Sequence, residues 1–380
     1  VFRKEVVDLL RDRRTMISMV ALPVLIFPLI FTVMGKFMGD AEKRAEKEAN
    51  TLAVSEGPLD EQLEAALMRG GFQILRKAKP GEAVSSKQAA AGLGVEQEGK
   101  LLVVYSDGTR QASGLAADKV RTVLNELRDG LVMASLIEAR VNPAVLKPFT
   151  VKRENVATER QMGGFVLGSM LGYIVILLMF SGGMYPAIDM AAGQKERRTL
   201  EALVASPAQR TDIVLGKIMA CVMATYATAL LTTGSLFFSL KSGAGAIKGL
   251  DRLAGNVPTD GQTIGLVLLV LLPVAVMAGS LMLAIALLAR SFKEAQSYLT
   301  PLIMLVIFPS LLGGLPGMEL TPLLSLIPIF NASQLLKAVL QGQAPVVEMA
   351  VTLGANFTYA AICFAVAVKS FSEEKVLFRT

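Results

Sequence analysis

Residue types that carry covalent catalysis are scarce in this 380-residue chain: there is no histidine, and the two cysteines, Cys221 and Cys363, both fall inside apolar runs. Without imidazole there is no His-based zinc site and no Ser-His-Asp triad, and two separated cysteines offer no disulfide framework. No metal site is identifiable. The polar residues that remain form patterns suited to docking and passage rather than to bond making. In Asp189–Lys217, reading DMAAGQKERRTLEALVASPAQRTDIVLGK, a short helix is expected over Lys195 to Ala205. Leu200, Leu203 and Val204 share one face, while Lys195, Glu196, Arg197, Arg198 and Glu201 fall largely elsewhere. Pro207 ends this helix, and Thr211 is placed to cap the next. Such a narrow apolar stripe either lies on a membrane surface or docks into a partner's groove, and the pattern leaves both open.

Three more patterns lie in apolar surroundings. Thr225, Thr228, Thr232, Ser235 and Ser239 follow a three-four spacing that puts every hydroxyl on one helix face. They could line a translocation path, although hydroxyls in this setting more often bond back to their own helix. Gly164, Gly168 and Gly172 recur every fourth residue and permit close helix approach, by packing or dimerisation. Asn331, in the Pro-containing stretch Leu320–Leu340, reads as a gate contact or a helix cap. No Asp, Glu, Lys or Arg falls near the middle of any apolar run, which disfavours a stand-alone ion-coupled carrier and leaves sodium without an obvious carboxylate.

The elements that must position these residues are membrane helices. Hydrophobic residues make up 53% of the chain, and uncharged runs near spanning length occur at Met16–Met34, Gly163–Ile188, Ile213–Leu240, Thr263–Ala289, Tyr298–Leu315 and Val347–Val368. Pro23 and Pro28 are expected to kink the first, which reads as a retained anchor rather than a signal peptide. The net charge of +6 comes from Lys and Arg at the ends of these runs, so nucleic acid is not an expected partner. Residues 1–15, 189–212, 290–297 and 369–380 carry five, four, two and three Lys and Arg, against three in 241–262 and one in 313–346. Both termini are therefore expected in the cytoplasm of a multi-pass cell-membrane protein.

The fold class expected is an α-helical polytopic membrane protein with six transmembrane helices and an extracytoplasmic α/β domain inserted between the first two. Residues 1–15 form an amphipathic elbow with Phe2, Val6, Leu9 and Leu10 on its apolar stripe, 16–35 the first span and 36–161 the α/β domain. Residues 162–380 hold the other five spans, a cytoplasmic helix at 193–206 and an outer re-entrant segment at 318–345. Inside the α/β domain, strands are expected at Thr51–Val54 and Leu101–Tyr105 and helices at Leu59–Met68 and Ala112–Arg140. Glu42–Glu48 reads as a helical stalk or a plain linker.

The segment after the second span resembles the connection of type-2 ABC exporter permeases, a Gly-Glu-x-Glu-x-Gly-Thr-Leu-Glu helix, a Ser-Pro turn and a Gly-Lys at the next span. The matching residues are Gly193, Glu196, Thr199, Leu200, Glu201, Ser206, Pro207, Gly216 and Lys217. Gln194 stands where an acidic residue is usual and Arg198 where glycine is usual. Lys4-Glu5, Leu10–Thr15 with Leu22-Pro23, Ile327–Ser333 and Glu374–Arg379 are similar to the sodium-extrusion (NatB-like) branch, so the likeness covers nearly the whole chain. The resemblance implies a permease, not an enzyme, working as a homodimer in membrane lipid with two cytoplasmic ABC ATPase subunits that bind ATP and Mg. It assigns ATPase coupling to Gln194, Lys195, Glu196, Arg197, Thr199, Leu200, Glu201, Leu203, Val204 and Pro207, and sodium efflux as the function. An exporter of lipid or amphipathic drug and a non-transporting sensor or scaffold remain alternatives. None of Gly35-Lys36, Gly99-Lys100 and Gly216-Lys217 is followed by Ser or Thr, so no Walker A loop is present and no cofactor is expected on this chain.

Overall fold

The computed structural model describes residues 1–56, 60–96, 101–141, 159–243, 259–312, 320–343 and 345–372. The Glu374–Arg379 motif lies outside them. The chain divides into two compact units, Val1–Gly35 with Asn155–Thr380, and Lys36–Glu154.

In the first unit, six helices among the described residues are long and apolar enough to cross a membrane: Arg13–Phe37, Gly172–Glu196, Arg210–Ser242, Gly261–Leu288, Phe292–Leu312 and Val346–Phe371. Spans two, three and four bury 72%, 61% and 67% of their apolar stretch within the unit, against 28%, 22% and 22% for spans one, five and six. The first three therefore make the core, and the others present broad apolar faces. Close crossings rely on glycine: a Cβ on Gly279 would lie 3.0 Å from the Val222 backbone, and one on Gly168 3.2 Å from the Lys337 backbone.

The first span is helical at both Pro23 and Pro28, and a π-helical turn at Ile17–Ala21 lies just ahead of Pro23, whose missing N–H removes a helical bond. Its helix continues to Glu48, so Glu42–Glu48 is helical rather than a plain linker. Thr211 does not cap the third span, because that helix already starts at Arg210. Within the 318–345 segment, helix Phe330–Leu340 buries all but one residue and packs on Gly168 and Gly172 of the second span's helix.

The second unit is an α/β layer. Strands β1 (Thr51–Val54), β2 (Gln73–Arg76), β3 (Ala91–Glu96) and β4 (Leu101–Tyr105) lie in the order β2-β1-β3-β4. β1 runs parallel to β2 and β3, while β3 and β4 pair antiparallel. Helices Glu61–Arg69 and Gln111–Glu138 bury Leu63, Leu67, Ala116 and Val120 against Leu52, Val54 and Leu93. Helix Pro80–Ser85 crowds β3, where a Cβ on Gly92 would approach Pro80 O to 2.9 Å. Two strands escape sequence patterning for physical reasons: β2 is a largely exposed edge, and β3 reads AGLGVE, whose glycines weaken strand propensity.

Candidate functional site

The second span does not end at Ile188. It continues through a π-helical turn, Asp189–Gly193, and a single helical turn, Gln194–Glu196. The chain then bends at Arg198, which is left-handed at φ 60° and ψ 15°, before a second short helix, Thr199–Val204. The single helix expected over Lys195–Ala205 is thus two pieces, because a left-handed residue cannot continue a right-handed helix. The apolar stripe is not presented outward: Leu200 is buried and Leu203 packs against the same core. Glu196, Arg197, Arg198, Thr199, Glu201 and Pro207 form the exposed side.

This segment ties together most of the bundle's ends. Gln194 Nε2 donates to Glu5 Oε2 at 2.9 Å and Oε1 at 3.2 Å, joining it to the N-terminal helix Phe2–Arg11. Lys217, in the third span, donates to Gln194 Oε1 at 2.5 Å, Met190 O at 2.7 Å and Glu5 Oε1 at 3.2 Å. Glu5, Gln194 and Lys217 are all buried. Lys195 donates to the carbonyls of Leu287 and Ala289 at the C-terminal end of span four, and Glu196 Oε2 accepts from Phe292 N at 2.8 Å at the start of span five. Both contacts place charge where the helix dipole favours it. Asp189 accepts from Arg197 at 2.9 Å. A Cβ at Gly216 would meet Val1 Cβ at 2.9 Å, so the N-terminal helix seats directly on the third span. Glu5 sits on the face of that helix that turns inward with Leu9, while Phe2 and Leu10 are exposed.

The N-terminal helix joins the first span through Asp12, which accepts from Arg14 N, Thr15 N and Thr15 Oγ1 at 3.3, 3.1 and 2.6 Å. Partial desolvation would raise the Asp12 carboxyl, but the Thr15 and Arg14 hydrogen bonds, with the nearby Arg14 charge, outweigh it and hold the group below its ordinary value.

The hydroxyl stripe is spent inside the fold. Thr225, Thr228 and Thr232 donate back to the carbonyls of Cys221, Ala224 and Thr228 at 2.8, 2.9 and 2.6 Å, and Ser235 donates to Val24 O of the first span at 2.8 Å. Gly182 and Gly183 face it so closely that a Cβ would stand 2.3 Å from Thr228 Oγ1 or Thr225 Oγ1. Ser239 is buried with no partner for its hydroxyl. Asn331 does not cap a helix: its Nδ2 donates to Ser325 O at 2.8 Å and to Asn356 Oδ1 at 3.2 Å, in full burial. Gly164 lies in the second span's helix with Gly168 and Gly172.

Residues 13–369 match the family described as ABC-2 family transporter protein. This chain belongs to that family. The permease is also 26% identical over 387 residues to the ABC transporter permease protein NatB of Bacillus subtilis (strain 168), covering 99% of this chain and 98% of the relative. No solved structure matches it. The family is one of ABC transporter permeases, multi-pass membrane proteins that transport rather than catalyse.

The two departures from the exporter signature acquire a physical meaning in this permease. Arg198 occupies the left-handed position at which glycine carries no Cβ penalty, so the usual glycine answers a backbone requirement. Gln194 bridges an anion and a cation, and an acidic residue there would face Glu5 directly. Nothing in the sequence pattern joins Glu5 to Lys217, although Lys4-Glu5 and Gly216-Lys217 each belong to a recognisable motif. Thr352, Asn356, Gly182 and Gly183 carry no pattern that would single them out.

Proposed function

We propose that this permease is the membrane half of an ATP-driven sodium exporter, with both termini cytoplasmic, the α/β unit extracytoplasmic, and a second copy of the chain as its partner in the bilayer. Two cytoplasmic ABC ATPase subunits supply the energy and hold ATP and Mg. The observation that carries the reading is the connection at residues 189–217. Its exposed side is charged, its buried side is bonded to the N-terminal helix and to spans two, three and four, and Glu196 of the exposed side also holds the start of span five. A push on the exposed residues therefore reaches several span ends at once, the requirement for rocking helices between inward and outward states. Gln194, Lys195, Leu200 and Leu203 act from inside, while Glu196, Arg197, Thr199, Glu201 and Pro207 offer the docking side. Val204 belongs to the same short helix. Sodium as cargo rests on the likeness to the sodium-extrusion branch.

The test is uptake of radiolabelled sodium by inside-out vesicles carrying this chain with its ATPase, with a protonophore present. Accumulation that persists with the protonophore and vanishes with an ATPase-dead partner supports the reading. No accumulation from a stable, ATP-hydrolysing complex removes sodium as cargo and directs attention to lipids and amphipathic drugs.

A further inference from the structure

Among the described residues, Asn331, Asn356 and Thr352 form a buried polar group whose own hydrogen bonds leave it incomplete. Asn331 on helix Phe330–Leu340, Thr352 and Asn356 on the sixth span are all fully buried. Asn331 Oδ1, Asn356 Nδ2 and Thr352 Oγ1 have no partner. Thr352 and Asn356 lie one turn apart on the same helix face. Asn356 is ten residues into its helix, about 15 Å along it and well inside the apolar stretch. Buried polar groups are ordinarily satisfied, so orphaned atoms on the bonded pair Asn331 and Asn356, with another on Thr352 one turn away, require a cause.

The backbone beside the cluster is broken. A 3₁₀ turn, Leu324–Leu326, is followed by Ile329 at φ 71° and ψ −51°, with Phe330 N donating to Pro328 O at 2.8 Å. That is a γ-turn of the strained kind at a β-branched residue, a conformation held only where surrounding structure imposes it. The break turns main-chain carbonyls away from helical pairing: Ser325 O accepts from Asn331, and Leu326 O from Tyr359 Oη at 2.6 Å.

Resting on the sodium-export reading, we propose that Asn331, Asn356, Thr352 and the Ser325 carbonyl form a binding site for a dehydrated monovalent cation of sodium's size. Ser325 O and Asn356 Oδ1 already converge on a single point, the Nδ2 of Asn331, at 2.8 and 3.2 Å. A half-turn of the Asn331 amide exchanges nitrogen for oxygen and adds Oδ1 to that pair, while the Thr352 hydroxyl supplies a fourth neutral oxygen. Neutral oxygens can replace a monovalent ion's hydration shell, whereas divalent ions favour carboxylates. No cluster of three His, Cys, Asp or Glu occurs among the described residues. The positive end of helix Phe330–Leu340 and the Asn356 amide donor act against the ion, which keeps affinity low and suits a site that must release its cargo.

Saturable binding of radiolabelled sodium to the full chain in nanodiscs tests this, with potassium as competitor and thermal unfolding as the control for folding. Thr352→Val, nearly isosteric, should weaken binding by about tenfold, Asn356→Leu should abolish it, and Asn356→Asp, which retains an oxygen, should preserve it. Unchanged binding in Thr352→Val and Asn356→Leu, with ATP-driven uptake intact, overturns the site and leaves sodium export standing. Absence of both binding and uptake in the wild type overturns both. A structure in saturating sodium that shows only a buried water between these groups overturns the site alone.

Discussion

Two buried polar regions of this permease differ in how completely they are satisfied. Around Glu5, Gln194 and Lys217 no buried side-chain atom lacks a partner, and the cluster holds one anion against one cation. Around Asn331, Asn356 and Thr352 three atoms lack one. A completed network fixes geometry, as a joint that transmits displacement must. An incomplete one is poised for something else to complete it. Under the proposed function, the first cluster is the joint that moves as a unit and the second is the part that can hold cargo.

The largest effect is expected of Lys217→Met, which removes the buried cation of Glu5 and leaves it only the exposed Lys4, 3.6 Å from Oε1. The expected loss is about 3–5 kcal/mol, read as a fall in unfolding temperature in detergent, with most of it recovered by adding Glu5→Met. A much smaller loss would mean the cluster is already hydrated. Next, Asp12→Ala removes the cap between the N-terminal helix and the first span, at an expected cost of about 1 kcal/mol. Because the folded Asp12 carboxyl titrates below its ordinary value, its contribution is complete above the unfolded carboxylate range and fades as pH falls through the lowered value. The difference between wild type and Asp12→Ala should therefore shrink in acid. Arg198→Gly runs the other way: relief at the left-handed bend should gain about 0.5–1 kcal/mol, visible as a small rise in unfolding temperature. The smallest effect belongs to the incomplete cluster. Asn331→Leu with Asn356→Leu, measured without sodium, should change stability by less than about 1 kcal/mol, since losing the Asn331 bonds to Ser325 O and Asn356 is offset by removing the unpartnered Asn331 Oδ1 and Asn356 Nδ2.

The spans were legible because an uncharged run of about 20 residues has few other uses. The amphipathic segment after the second span was legible as a pattern, but its break at Arg198 was not: arginine gives no sign of a left-handed backbone, and only the glycine of the exporter signature hinted at one. The Glu5–Lys217 pair joins residues 212 positions apart, and Asn331–Asn356 residues 25 apart. Periodicity reports which face a residue lies on, not which distant residue meets it. For the same reason the hydroxyl stripe was visible from Thr225 to Ser239, while the Gly182-Gly183 surface that closes over it was not. In the α/β unit, β2 and β3 lacked alternation because one is an exposed edge and the other is rich in glycine.

Whether the exposed side of residues 196–207 passes ATP-driven motion to the spans can be read from the sodium moved per ATP hydrolysed in vesicles carrying Glu201→Lys with Arg198→Glu. Both side chains are exposed. Neither belongs to the buried network, so folding should be preserved. Flux per ATP should collapse while the unfolding temperature stays near that of the wild type; a ratio equal to that of the wild type would contradict the coupling role of this surface.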